Sequence, residues 1–220
     1  MFAAEGGFKV SCGFKLQTQL TTFIMAQTTS KATPGRPRKF DHDVVLDNVM
    51  ETFWQHGYEG TSITLLESNT GLAAPSLYAA FGKKQQLFTS SVERYREKTR
   101  PIHDYALGQP ESGSVAKCFL EGLVKFFKSG ANPEGCLVIL GAVVTSPSSG
   151  AIRQYLNDIR TGIVSRFTER FERSIKEGDL PPNADSFALA NYLVTLDCGL
   201  ALQSKAGYSQ ADLMKVVPWL

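Results

Sequence analysis

The chain has 220 residues, 43% of them hydrophobic, and its 23 lysines and arginines against 21 acids leave a formal net charge of +2. That length suits one large domain, or a small domain joined to a mid-sized one. A charge so near zero excludes a polycation that coats nucleic acid, and no apolar run approaches the ~18–20 residues of a membrane span, which predicts a soluble protein.

Residues 1–30 read as a poorly structured leader. The stretch from Leu20 to Ala26 is mildly apolar, but Thr21 and Thr22 break it and Glu5 spoils a basic n-region, so it does not read as a signal peptide. Met25, followed by small polar residues, is the expected working start. Lys31, Arg36, Arg38 and Lys39 then place four positive charges without an acid on a backbone stiffened by Pro34 and Pro37. Such a segment does not fold alone. It reads either as a solvated tail or as an arm whose arginines enter a DNA minor groove, and the pattern that follows favours the arm.

A helix is expected from Asp41, a plausible N-cap, with Leu46, Val49, Met50 and Phe53 on its apolar face and Gly57 as its stop. Thr61 and Ser62 offer hydroxyl caps to a second short helix carrying Ile63, Leu65 and Leu66. Gly71 suits a tight turn, and Pro75 opens a third short helix running through Leu77 to Phe81. Two short helices around a glycine turn give the helix-turn-helix outline.

The run over residues 57–88, GYEGTSITLLESNTGLAAPSLYAAFGKKQQLF, resembles the DNA-binding domain of TetR-family regulators. The family pattern is matched by Gly57, Tyr58, Thr61, Ser62, Ile63, Leu66, Gly71, Leu72, Leu77, Tyr78, Phe81, Lys84 and Leu87, at held spacing. The resemblance covers residues 40–95 and implies phosphate contacts from Thr61, Ser76, Tyr78 and Lys84, where hydroxyls and an amine suit phosphate oxygens. Ser62, Pro75, Lys83 and the arm residues Arg36, Arg38 and Lys39 complete the candidate DNA-binding set. Two departures stand out. Ala73 and Ala74 occupy the start of the recognition helix, where a capping hydroxyl is usual, and alanine cannot cap. Glu67 and Asn69 replace small or apolar residues, so that face should be solvated.

Beyond Arg100 the spacing stays helical. Pro101 and residues 108–113 punctuate the chain, and an amphipathic helix follows over 115–128. The apolar run 136–144 could be a buried strand, but with no partner strand in view a short buried helix is expected. A long helix covers 151–176 and stops at Gly178. Asp185 can cap a last helix bearing Leu189, Leu193, Leu196 and Leu200 on one side, with Ala188, Val194, Cys198, Gly199 and Ala201 on others. A helix apolar on several faces is buried on several faces: either it is a central core helix, or a second copy of the chain covers it across a two-fold axis. The resemblance implies the latter, a four-helix homodimer interface, with Leu193, Leu196, Gly199, Leu200 and Ala201 as the candidate contacts.

No catalytic signature holds together. Ser114 and Lys117 form an isolated S-x-x-K without its companion motifs, and no nucleotide-binding glycine pattern is present. Cys12, Cys118, Cys136 and Cys198 show no C-x-x-C pair, and His42, His56 and His103 are scattered, so neither a metal nor any cofactor is expected and reduced, cytoplasmic thiols are the default. Cys118 and Cys136 read as packing residues, or else as a thiol sensor of oxidants or electrophiles.

The expectation is therefore an all-α chain that is not an enzyme. Residues 1–39 form a leader and arm, 40–95 a three-helix helix-turn-helix DNA-binding domain, and 96–220 a helical ligand-binding and dimerisation domain. The resemblance implies repression at a palindromic DNA operator, relieved by a small-molecule effector. Phe119, Phe126, Cys136, Tyr155, Ile159 and Tyr192 are the candidate effector-binding residues. An enzyme or ligand-binding module with an incidental helix-turn-helix is the rival from another class.

Overall fold

The computed structural model describes residues 40–143 and 145–217, and within them all regular structure is helical. Arg36, Arg38, Lys39 and the start at Met25 lie outside the described residues. No helix among those described is long and apolar enough to cross a membrane.

Helix α1 (His42–Gly60) begins as its sequence suggests: the Asp41 carboxylate accepts from the backbone N–H groups of Asp43 and Val44 at 2.9 and 3.3 Å. It buries Val45, Val49, Met50, Phe53 and Trp54. Helical geometry breaks at Gly57, whose φ of 69° turns the chain so that the next N–H, on Tyr58, points out of the helix. Helix α2 (Ile63–Thr70) is capped by Ser62 Oγ, which accepts from Leu65 N–H at 3.1 Å. After a left-handed Gly71, helix α3 (Ala74–Phe81) starts at Ala73 with Pro75 in its first turn.

Helix α4 (Lys84–Leu107) runs without interruption through Pro101 and through the expected domain boundary at 95/96. Pro101 forfeits one helical hydrogen bond, but it sits on the exposed side, while Ile102 and Ala106 on the other face are buried. Burial of that face keeps the helix going. Ile102 packs so closely on α5 (Ser112–Phe127) that a Cβ at Gly122 would lie 2.6 Å from its Cγ2.

Within the run 136–144, Leu137–Leu140 form one helical turn, α6, and residues 141–143 leave the helix. Helices α7 (Gly150–Lys176) and α8 (Ser186–Lys205) pack along each other, and α8 is capped by Asp185, which accepts from Ala188 N–H at 2.9 Å. A short α9 (Gln210–Met214), unforeseen from the sequence, follows a Ser209 cap and packs against α5 and α8. The buried Arg170 guanidinium on α7 donates to the carbonyls of Gln109 and Pro110 at 2.6 and 2.9 Å, tying α7 to the α4–α5 connection.

Candidate nucleic-acid interface and effector cavity

Helices α2 and α3 make the helix-turn-helix. The exposed side of α3 carries Pro75, Ser76, Tyr78 and Ala79, with Ala73 just before it. Small side chains there let a helix approach base edges closely, and a methyl group suits the thymine methyl. Ala73 gives no side-chain cap, as expected, but the first N–H of α3 is not free: Glu67 Oε1 accepts from Ala74 N–H at 2.6 Å. Glu67 is therefore half-buried rather than solvated, and it was the missed member of this site. Asn69 is exposed and donates to Thr52 Oγ1 at 2.9 Å.

Thr61 requires a correction. Its side chain is fully buried and its hydroxyl donates to the Gly57 carbonyl at 2.7 Å, so it is not placed to hold a phosphate. It closes the broken end of α1. Ser62 is exposed, with its oxygen engaged as the α2 cap; Lys83 is exposed at the start of α4. Lys84 lies over the Tyr58 ring, its Nζ 4.6 Å from the centroid, and partial burial lowers its pKa from the usual lysine value.

A cavity of about 70 Å³ opens among α4, α5, α7, α8 and the α6 segment. Of the six effector candidates, Cys136 and Ile159 line it. The other four lie elsewhere. Phe119 is fully buried against His103 and Phe167, and Phe126 stacks on Trp54 at 5.6 Å between ring centroids. Tyr155 lines a separate groove and donates to Glu93 Oε1 at 2.6 Å, while Tyr192 is 54% exposed on the outer side of α8. Helical spacing identified apolar faces but not which of them borders empty space.

The cavity also collects residues that spacing did not single out: Tyr95, His103 and Asp197, with Arg100 and Arg160 among its basic lining. Burial pushes the Cys136 thiol up to about 12 and Asp197 up to about 7, and lowers His103 to about 4. Cys136 thus rests as a thiol. Cys118 is buried in α5 away from this lining. Asp197 was legible as a lone charge in the apolar run around it, LVTLDCGLAL.

The dimer candidates divide. Leu193, Leu200 and Ala201 are buried inside the subunit, Leu196 is half-buried and only Gly199 is exposed. Ala201, fully buried, belongs to the subunit core rather than to a partner-facing surface. The outward stripe of α8 is instead Phe187, Tyr192, Gly199 and Leu202, with Phe187 and Leu202 about 60% exposed.

Residues 45–90 match the family of bacterial regulatory proteins, tetR family. The chain is 34% identical over 190 residues to the HTH-type transcriptional repressor ComR of Escherichia coli (strain K12), covering 84% of this chain and 90% of that protein. The chain belongs to the TetR family of transcriptional regulators. It is also 32% identical over 162 residues to the HTH-type transcriptional regulator YezE of Bacillus subtilis (strain 168), covering 72% of this chain and 83% of that one. Among solved structures it is similar to a cysteine-substituted form of the TetR-family regulator CifR complexed with 26-bp operator DNA. That match has 36% identity and a TM-score of 0.81, covering 84% of this chain and 97% of that one.

In this TetR-family chain the cavity and the DNA-binding helices share one piece of backbone. Cys136, Val138 and Ile139 line the cavity. The carbonyls just either side of them hold α1: Trp54 Nε1–H donates to Gly135 O at 3.1 Å, and Tyr58 N–H donates to Gly141 O at 2.7 Å. Glu59 extends the junction by accepting from Ser146 N–H at 2.9 Å.

Proposed function

We propose that this regulator is a homodimeric repressor that holds a palindromic operator, one half-site per subunit, and releases it when a small molecule enters the cavity. The observation that carries this reading is the shared segment 135–141, whose side chains line the cavity and whose carbonyls hold α1. A ligand that fits only a shifted segment would bind the DNA-free conformation better, and that difference in affinity would set the release. ComR, similar over most of its length, is a repressor, and CifR is known with operator DNA. In the DNA-bound state Ser76, Tyr78, Lys83 and Lys84 hold phosphates, and Arg36, Arg38 and Lys39 follow the minor groove beside each half-site.

Fluorescence anisotropy with the DNA upstream of the gene tests the reading. Ile139→Trp places an indole in the cavity and should lower operator affinity about tenfold, with helical content intact by circular dichroism. Removing residues 1–39 should also weaken binding at fixed salt. Operator affinity unchanged by Ile139→Trp removes the coupling, and no binding to any upstream fragment removes the regulator of adjacent genes.

A further inference from the structure

The floor of the cavity holds three polar side chains from three parts of the fold. Tyr95 comes from α4, Cys136 immediately precedes α6 and Asp197 comes from α8; they are 2%, 7% and 6% exposed. The Tyr95 hydroxyl lies in hydrogen-bonding contact with the Cys136 sulfur, and Asp197 Oδ1 has no hydrogen-bond partner among the described residues. A buried carboxylate oxygen left unpaired is costly, so it points to an absent group that donates a proton to it, while the neighbouring Tyr95 O–H can be turned to donate to a ligand oxygen. Arg100 and Arg160 among the lining weigh against a cationic ligand as the natural partner of Asp197. Ile159, Ile163 and Val194 make the neighbouring wall apolar.

We infer that Cys136 is a covalent capture site for a small uncharged α,β-unsaturated carbonyl compound, with Asp197 taking the thiol proton and Tyr95 holding the carbonyl oxygen. The inference rests on the cavity being the effector site. The sulfur attacks the β-carbon and forms the C–S bond, while the C=C π pair moves toward the carbonyl oxygen to give an enolate. Tyr95 O–H donates to that oxygen. The thiol proton passes to the Asp197 carboxylate and from there to the α-carbon, leaving a saturated carbonyl thioether and the original carboxylate. Nothing is oxidised or reduced, and every atom of both reactants is kept. Burial holds the resting sulfur as an unreactive thiol, so the site answers to a ligand seated beside Asp197 rather than to passing oxidants. The adduct then sits between the two carbonyls that anchor Trp54 and Tyr58.

But-3-en-2-one added to the full chain, followed by intact mass, peptide mapping and operator anisotropy in parallel, tests the site. The expected result is a gain of one enone, mapped to Cys136, that keeps pace with loss of operator binding. Cys136→Ser should abolish both. Asp197→Asn and Tyr95→Phe, folded by circular dichroism, should each slow the modification at least tenfold. Modification of Cys136 no faster than that of the half-exposed Cys198, or no adduct at Cys136 at all, overturns the proposal. Release of the operator from Cys136→Ser as readily as from the unaltered chain overturns the covalent step while leaving the cavity as an effector site. An adduct at Cys136 without release leaves the capture standing and counts against the effector reading instead.

Discussion

At the start of α3 an acceptor is supplied from outside the helix: Glu67, on α2, takes the N–H that Ala73 cannot cap. Glu67→Ala should cost about 1 kcal/mol, in the range of a lost N-cap, while Glu67→Gln keeps an acceptor and most of that stability. Urea unfolding of the two variants checks this, and equal losses would show that the contact is not what matters. Asp197 makes a second prediction at this scale. Its folded pKa is raised from 3.8 to about 7, so the folded state holds the proton more tightly than the unfolded chain does. Its contribution to stability is therefore fully present below pH 3.8 and is lost as pH rises through 7. Asp197→Asn removes that loss, so the variant should gain stability relative to the unaltered chain between pH 5 and pH 8, by a few kcal/mol at most. A constant difference across that range would mean that Asp197 titrates normally. His103, lowered to about 4 by burial, opposes this trend on the acid side but is common to both proteins and drops out of the comparison.

The helices show what periodicity reveals and where it stops. Caps at Asp41, Ser62 and Asp185 were readable because each hydroxyl or carboxylate bonds an N–H two or three residues away, within one turn of chain. Pro101 misled because its cost is local, whereas the burial of Ile102 and Ala106 that offsets it comes from another helix. On α8, apolar residues on several faces raised the expectation of burial on more than one side. Within the subunit, however, one face is buried, and Ala201 and Leu200 could be assigned to it only once α7 and α5 were in place. The same limit applies to the cavity. Tyr95, Cys136 and Asp197 are far apart along the chain, and nothing in the local pattern of any one announces the other two.

At the scale of the molecule, the outer stripe of α8 calls for a cover. Phe187, Tyr192 and Leu202 expose large apolar surface beside Gly199, where a Cβ would meet nothing within 4 Å. A second subunit laid against this stripe would bury it, as the four-helix arrangement of the family implies. Leu202→Glu charges the stripe without touching the subunit core, so the variant should keep its helical content, sediment as a monomer and lose operator binding, because one half-site alone is held weakly. A dimer that persists at micromolar concentration would place the interface elsewhere.

The unbroken course of α4 has a mechanical consequence. Its 24 residues span roughly 36 Å, from Lys84 beside the recognition helix to Leu107 before the α4–α5 connection. Tyr95 sits near its middle, facing the cavity. A rigid rod pivoted about its far end magnifies small displacements: a tilt of about five degrees moves the Lys84 end by roughly 3 Å. That is close to the ~3.4 Å separating neighbouring bases along a strand, so such a tilt would carry the recognition helix about one step out of register. Because the helix continues unbroken through Pro101, a lever of this kind needs no moving part other than itself.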